Sequence, residues 1–297
     1  MIAVTSRSFS RHPELRQELL ARHDEVRFND DGRSLRGDEL VEFLRGCEKA
    51  IVALEPIDDA LLERLPDLRV LSKVGVGLDT IDVAAVERRG IRLAWRPGTN
   101  SRSVTELALA LAISALRRVS QAANELRAGR WSQPKGTLLS GKTVGIVGFG
   151  HAGRDLAALL RPFECRILAA DVLAVDEPEV EHVPLDALLA EADVVSLHLT
   201  LDESTRGLLD RQRLELLKPT TVLVNTARGG LVDEQALAEL LREGHLAAAA
   251  FDVFALEPPG DSELLSLPNF LGTPHIGGST EEAILAMGRA AIEGLDL

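Results

Sequence analysis

Thr143-Val144-Gly145-Ile146-Val147 is a run that a strand would bury, and it leads straight into Gly148, Gly150 and Gly153 before a helix-forming stretch, Arg154-Asp155-Leu156-Ala157-Ala158-Leu159-Leu160. Glycines at that spacing are weak evidence alone, and the context around them carries the reading. Gly148 permits the tight turn, Gly150 lets a phosphate approach the backbone, and Gly153 lets the helix pack close to the strand, so that its N-terminal N–H groups face negative charge. A second apolar run, Cys165 to Ala170, ends in Asp171, 18 residues after Gly153. That is near the spacing of roughly 20 at which an acid accepts the ribose hydroxyls of a dinucleotide. No Arg or Lys lies between Asp171 and Glu177, which points to NAD rather than NADP, because a 2′-phosphate needs a cation.

The rest of the chain supplies what such a motif needs. Six apolar runs, Val144 to Gly148, Arg166 to Asp171, Val194 to Leu199, Val222 to Ala227, Ala247 to Phe254 and Asn269 to Thr273, are separated by helical patterns. Six strands suffice for a Rossmann doubly wound parallel sheet. Before them, Ile2 to Ser6, Ala50 to Leu54, Val70 to Val76 and Ile91 to Trp95 alternate with amphipathic segments such as Pro13 to Arg22 and Asp58 to Leu65. These predict a second, smaller flavodoxin-like α/β substrate domain. Arg96-Pro97-Gly98-Thr99-Asn100 breaks the pattern before a Leu- and Ala-rich helix from Ser103 to Arg118, and a last helical pattern runs from Thr280 to Glu293. The reading is an α/β chain with residues 1–98 and 274–297 in a discontinuous substrate domain and residues 99–273 in an NAD-binding domain.

Composition narrows the function classes. At 297 residues and 45% hydrophobic, the chain can bury two cores. No apolar run approaches the ~18 residues of a membrane span, and Met1-Ile2-Ala3-Val4 begins a strand rather than a signal sequence, so a soluble, cytoplasmic protein is expected. Cys47 and Cys165 have neither disulfide-framework nor metal-ligand spacing, and no metal is expected. A net charge of -13 disfavours nucleic acid as a partner. An anionic substrate would have to be held by local cations and backbone donors.

Ligands of open α/β sheets bind at the carboxyl ends of the strands, and three polar residues just after strands form a chemical set. His275, after Phe270 to Pro274, titrates in the range needed to exchange a hydroxyl proton. Glu257, after Ala247 to Phe254, can fix the imidazole tautomer and raise its basicity. Arg228, after Thr221 to Ala227, can grip a carboxylate bidentately and polarise the adjacent carbonyl. His198 ends a strand on the same edge, whereas His12, His23, His151, His182 and His245 fall in helical or loop surroundings.

With these residues in place the chain resembles the D-isomer-specific 2-hydroxyacid dehydrogenases, and in particular the phosphoglycerate dehydrogenase-like members. The resemblance rests on Leu139-Ser140-Gly141-Lys142-Thr143 through Gly150, Asn225-Thr226-Ala227-Arg228-Gly229-Gly230, Phe251-Asp252-Val253-Phe254-Ala255-Leu256-Glu257-Pro258 and Thr273-Pro274-His275-Ile276-Gly277-Gly278. Lys73-Val74-Gly75-Val76-Gly77-Leu78-Asp79 is similar to the family's substrate loop, and Pro97 to Ser101 with Val104-Thr105-Glu106 to its hinge and interface helix.

The resemblance implies that Arg228 binds and polarises substrate, Glu257 supports the histidine, and His275 donates the proton in reduction. By the same resemblance His151 and Ala152 touch the pyrophosphate, Thr226 and Ala227 line the nicotinamide, and Asp252 bonds its carboxamide. Gly277 and Gly278 join the cofactor set. Thr200, standing where the family often has proline, joins it in a loop of altered shape. The amides of Gly75, Val76 and Gly77 would hold the substrate carboxylate, as glycine-rich nests do, with Asn100 nearby at the hinge. Arg7, beside Ser8, and Lys73 are candidates for a distal phosphate or second carboxylate. The family implies a homodimer through the helix after Ser103, domain closure is expected about Pro97 to Asn100 and Thr273 to Pro274, and the regulatory extension that some phosphoglycerate dehydrogenases carry is not expected. Three functions stay open: an NAD-dependent D-2-hydroxyacid dehydrogenase, with 3-phosphoglycerate among its candidate substrates; a glyoxylate or hydroxypyruvate reductase; and an NADH-sensing corepressor-like binding protein.

Overall fold

Val, Ile, Leu and Ala dominate the central strands, because parallel strands covered by helices on both faces have little polar side to display. The computed structural model describes residues 1–296, in two units: Ser101–Gly277, and Met1–Asn100 with the chain from Gly278 onward. In the smaller unit, β1 (Ile2–Val4), β2 (Val26–Phe28), β3 (Lys49–Val52), β4 (Val70–Lys73) and β5 (Arg92–Ala94) lie parallel in the order β2-β1-β3-β4-β5. That order is the flavodoxin-like one. Helix Glu281–Gly294 belongs to this unit. Its approach is close because Gly288 and Gly294 leave room where a Cβ would collide with Leu15 and Ser72. Ser72 Oγ donates to Ala291 O at 2.7 Å, and Lys49 Nζ donates to Leu295 O at 2.8 Å.

The larger unit holds β6 (Thr143–Val147), β7 (Arg166–Ala170), β8 (Val180–His182), β9 (Val194–Leu197), β10 (Val222–Asn225), β11 (Ala248–Phe251) and β12 (Phe270–Gly272). All are parallel, in the order β12-β11-β10-β9-β6-β7-β8. The direction in which strands are added reverses between β6 and β9, the switch point at which a doubly wound sheet opens a crevice. Helix Ser101–Leu116 packs on helix His151–Leu160, tied by Thr105 Oγ1 to Asp155 Oδ2 at 2.5 Å. Arg118, at φ 53°, stops the long helix and starts a second one, Val119–Arg127, none of whose residues is buried.

Two strands lie outside the sequence reading. β2 and β8 are three-residue edge strands, Val-Arg-Phe and Val-Glu-His, too short and too polar to show apolar periodicity. His182 is thus a strand residue. The larger unit also keeps the chain as far as Gly277, beyond Thr273 where the sequence breaks. The reason is Asp252, buried at the end of β11, which binds that segment by its main chain. Among the described residues no helix is long and apolar enough to cross a membrane.

Candidate active site

The three glycines after β6 do different work. Gly148 sits at φ 91°, and a Cβ on it would lie 2.7 Å from His198 O. A Cβ on Gly153 would collide with Gly148 O, so bareness there lets the helix approach the strand. Gly150 differs: a Cβ on it would meet no protein atom within 4 Å. The chain's own packing leaves the space beside it open.

Helix His151–Leu160 begins at Gly150 without a side-chain cap, leaving the first-turn N–H groups of His151, Ala152 and Gly153 to an anion. Asp171 accepts Phe149 N–H at 2.6 Å on Oδ2 and Leu173 N–H at 2.8 Å on Oδ1. Each oxygen keeps a lone pair for a ribose hydroxyl. Arg154 and Arg161 are both spent on Glu177, at 3.2 Å each. The Thr226 hydroxyl, after β10, is buried and meets no partner among the described residues, an orphan that a bound ligand would satisfy. These residues fit a dinucleotide without a 2′-phosphate. Gly150→Ala is expected to weaken NADH binding at least about tenfold with the melting temperature unchanged, whereas Gly153→Ala costs about 1–3 kcal/mol of stability. Calorimetric melts and NADH titration of both variants check this; equal losses of stability would sink it.

Three loops at the carboxyl ends of β10, β11 and β12 carry the reactive set. His275 Nδ1 meets Glu257 Oε2 at 2.7 Å, and Glu257 Oε1 accepts Phe254 N–H at 3.1 Å, so the carboxylate is itself anchored. With Nδ1 engaged, Nε2 is the ring nitrogen open to a substrate. His275 adopts φ 54°, rare for a residue with a side chain. Asp252 holds it there: its main-chain oxygen accepts His275 N–H at 2.8 Å. Its carboxylate accepts the Thr273 hydroxyl at 2.6 Å, Ile276 N–H at 2.8 Å and Gly277 N–H at 2.7 Å. Gly277 O in turn accepts Ser103 Oγ at 2.5 Å.

Arg228 follows a turn that Asn225 closes, with Nδ2 donating to Arg228 O at 2.8 Å and Oδ1 accepting Ala227 N–H at 3.0 Å. Its guanidinium, half-buried, donates through Nη1 to Ala227 O at 2.7 Å. The next residue, Gly229, lies against the main chain of Phe254 and Ala255, where a Cβ would collide. The arginine loop and the loop leading to Glu257 are therefore in main-chain contact.

Sequence reasoning missed Glu234. Its Oε1 accepts Ala255 N–H at 2.6 Å from the first turn of helix Glu234–Arg242. Burial holds its carboxyl above the ordinary range, and the Glu257 charge pushes the same way. In sequence it reads as a helix-start acid, and only the neighbouring loop reveals its second contact. Thr200 is exposed, its carbonyl accepting Thr205 Oγ1 at 2.7 Å.

His198 binds Ser196 Oγ at 2.9 Å, and burial pushes its pKa down from 6.5 to about 4. It is neutral at working pH. The unfolded chain takes up this proton first, so stability falls as pH drops from 6.5 towards 4, by roughly 3 kcal/mol in full. Urea unfolding at pH 7.5 and 4.5 should show His198→Asn losing less on acidification than the wild type. Identical losses would remove His198 as the cause.

In the smaller unit, Gly75 takes φ 110°, open only to glycine. No acceptor meets the N–H groups of Gly75, Val76 or Gly77 among the described residues. Lys73 is buried, with its amine on Ala53 O, and Arg7 is exposed at the start of helix Arg7–Arg11. Asn100 Nδ2 lies beside Gly278.

A dinucleotide cradle at a switch point, with an imidazole backed by a carboxylate at the carboxyl edge of the same sheet, defines a nicotinamide-dependent oxidoreductase. Residues 109–277 match the family model described as D-isomer specific 2-hydroxyacid dehydrogenase, NAD binding domain. The chain is 37% identical over 283 residues to a hydroxypyruvate reductase of Thermotoga maritima, covering 93% of this chain and 92% of the relative. It is 42% identical over 233 residues to a D-3-phosphoglycerate dehydrogenase of Mycobacterium leprae, covering 76% of this chain but only 44% of that relative. Among solved structures, a glyoxylate reductase from Paecilomyes thermophila superposes with a TM-score of 0.90 at 28% identity, covering 99% of this chain and 94% of the other. The chain belongs to the D-isomer specific 2-hydroxyacid dehydrogenase family. It is an NAD-dependent oxidoreductase that interconverts a 2-hydroxy acid and its 2-oxo acid.

Proposed function

We propose that this chain works as a reductase of a short 2-oxo acid, of the size of glyoxylate or hydroxypyruvate, with His275 as proton donor. The observation that carries this is the 2.7 Å bond between His275 Nδ1 and Glu257 Oε2. It leaves Nε2–H to protonate the substrate oxygen and a carboxylate to steady the imidazolium. Arg228 grips the carboxylate and polarises the carbonyl, while in the smaller unit the amides of Gly75, Val76 and Gly77 serve as anion donors. The nicotinamide, when bound, supplies the hydride. His151, Ala152 and Gly153 bind its pyrophosphate, Asp171 the ribose, and Thr226 and Ala227 the nicotinamide half. Residues 1–98 and the last helix serve the substrate, and the larger unit serves the cofactor.

A short substrate is favoured by Lys73, whose buried amine is directed to Ala53 O, and by similarity along nearly the whole length of a hydroxypyruvate reductase. Steady-state turnover of a panel of 2-oxo acids with NADH tests the reading, and NADH binding without turnover would return the chain to the corepressor-like class. A second reading, 3-phosphoglycerate as substrate, draws on the exposed Arg7 just after β1. Arg7→Ala should then raise KM for 3-phosphoglycerate far more than for a short hydroxy acid, and equal effects would dismiss it.

The active form is proposed to be a homodimer in the cytoplasm. Helix Val119–Arg127 buries none of its residues, and Leu126, Trp131 and Leu138 are 60%, 82% and 68% exposed. An open cavity of about 740 Å³, lined in part by Leu116, Leu246 and Phe270, lies in the same unit. Apolar surface of this kind marks an interface, and light scattering at the dimer mass would support it.

A further inference from the structure

We propose that Trp95 is a positioning residue for substrate: its indole N–H fixes the peptide between Val76 and Gly77 so that the amides of the Gly75–Gly77 loop point at a carboxylate. This rests on the assignment of that loop to the substrate and says what makes it a binder.

Trp95 lies just beyond β5, and its Nε1 donates to Val76 O at 2.8 Å. In a trans peptide the carbonyl and the following N–H point in opposite directions. Anchoring Val76 O on the indole therefore turns Gly77 N–H away from Trp95. On the other side of Val76, Gly75 at φ 110° sets the loop's direction, and Val74 N–H closes onto Val52 O at 2.8 Å, so the ladder ends one residue before Gly75. Three consecutive N–H groups without acceptors among the described residues follow, in a half-buried stretch that solvent or a ligand can reach. A flexible glycine loop would lose ordering entropy on binding an anion, and one anchor at its centre removes much of that cost before the ligand arrives. The anchor comes from the end of the neighbouring strand, so the loop holds its shape through β5 as well as through Gly75.

The composition makes the test direct. The chain has two tryptophans, Trp95 and Trp131, and no tyrosine, so Trp131→Phe yields a protein whose fluorescence comes from Trp95. Titration of that variant with oxamate, an unreactive isostere of a 2-oxo acid, is expected to shift the emission with saturation. In otherwise wild-type protein, Trp95→Phe keeps a ring and removes the donor. KM for the 2-oxo acid is expected to rise about tenfold, with kcat and KM for NADH within twofold. An unmoved KM, or a tenfold fall in kcat at unchanged KM, would overturn the positioning role. So would emission unmoved by oxamate, a measurement that stands even if Trp95→Phe does not fold. If no 2-oxo acid turns over yet oxamate shifts Trp95, the reductase reading fails and the loop proposal survives. Normal turnover with neither change does the reverse.

Discussion

Replacing His275 by glutamine is expected to lower kcat for the 2-oxo acid by about a thousandfold, within the range that positioned acid–base catalysts contribute, while NADH binds within twofold of the wild type. Glutamine can still bond Glu257, so the loop keeps its shape and the loss reads the proton alone. Glu257→Gln should cost at least about a hundredfold, because a neutral amide no longer steadies the imidazolium that donates the proton. The double variant should be little worse than His275→Gln, since the two side chains act as one unit through the 2.7 Å bond. A His275→Gln enzyme retaining a tenth of the wild-type kcat would end the assignment of the proton donor.

Gly229→Ala should be the most damaging change that touches no reactive group. The new methyl would occupy the space of the Phe254 carbonyl group and Ala255 N, and main-chain atoms cannot move aside as a side chain does. A cost of about 3 kcal/mol or more follows, lowering the melting temperature by about 6–12 °C at roughly 2–4 °C per kcal/mol. Relief by separation of the two loops would draw Arg228 away from the Glu257–His275 pair, so kcat/KM should fall at least about a hundredfold even in the folded fraction. Calorimetry with single-turnover kinetics checks both parts. An alanine variant with the wild-type melting temperature would mean that the loops do not meet as described.

The glycine turn was legible because its requirements are local: a strand, a turn at positive φ and a helix start are adjacent in sequence, and Gly148 and Gly153 occupy the positions that sequence reasoning gave them. Edge strands were not legible. Val26-Arg27-Phe28 and Val180-Glu181-His182 take extended form because a neighbouring strand offers hydrogen bonds, and nothing in three residues announces that neighbour. Nor does its sequence position show that Asp252 shapes the histidine loop. Its carboxylate accepts three donors from residues 273–277, a task that depends on which loop lies beside it. Glu234 was invisible for the same reason.

By itself the sequence determined the parallel α/β class, the phosphate-binding turn and the residue types available for hydride chemistry, since periodicity and glycine spacing act over a few residues. Only the tertiary structure decided that Nδ1 of His275 meets Glu257, that Asp252 bends the histidine loop to φ 54°, and that Gly229 presses the arginine loop onto the glutamate loop. Those contacts join residues 18 or more positions apart, and their geometry comes from neighbouring strands ending at one edge of one sheet.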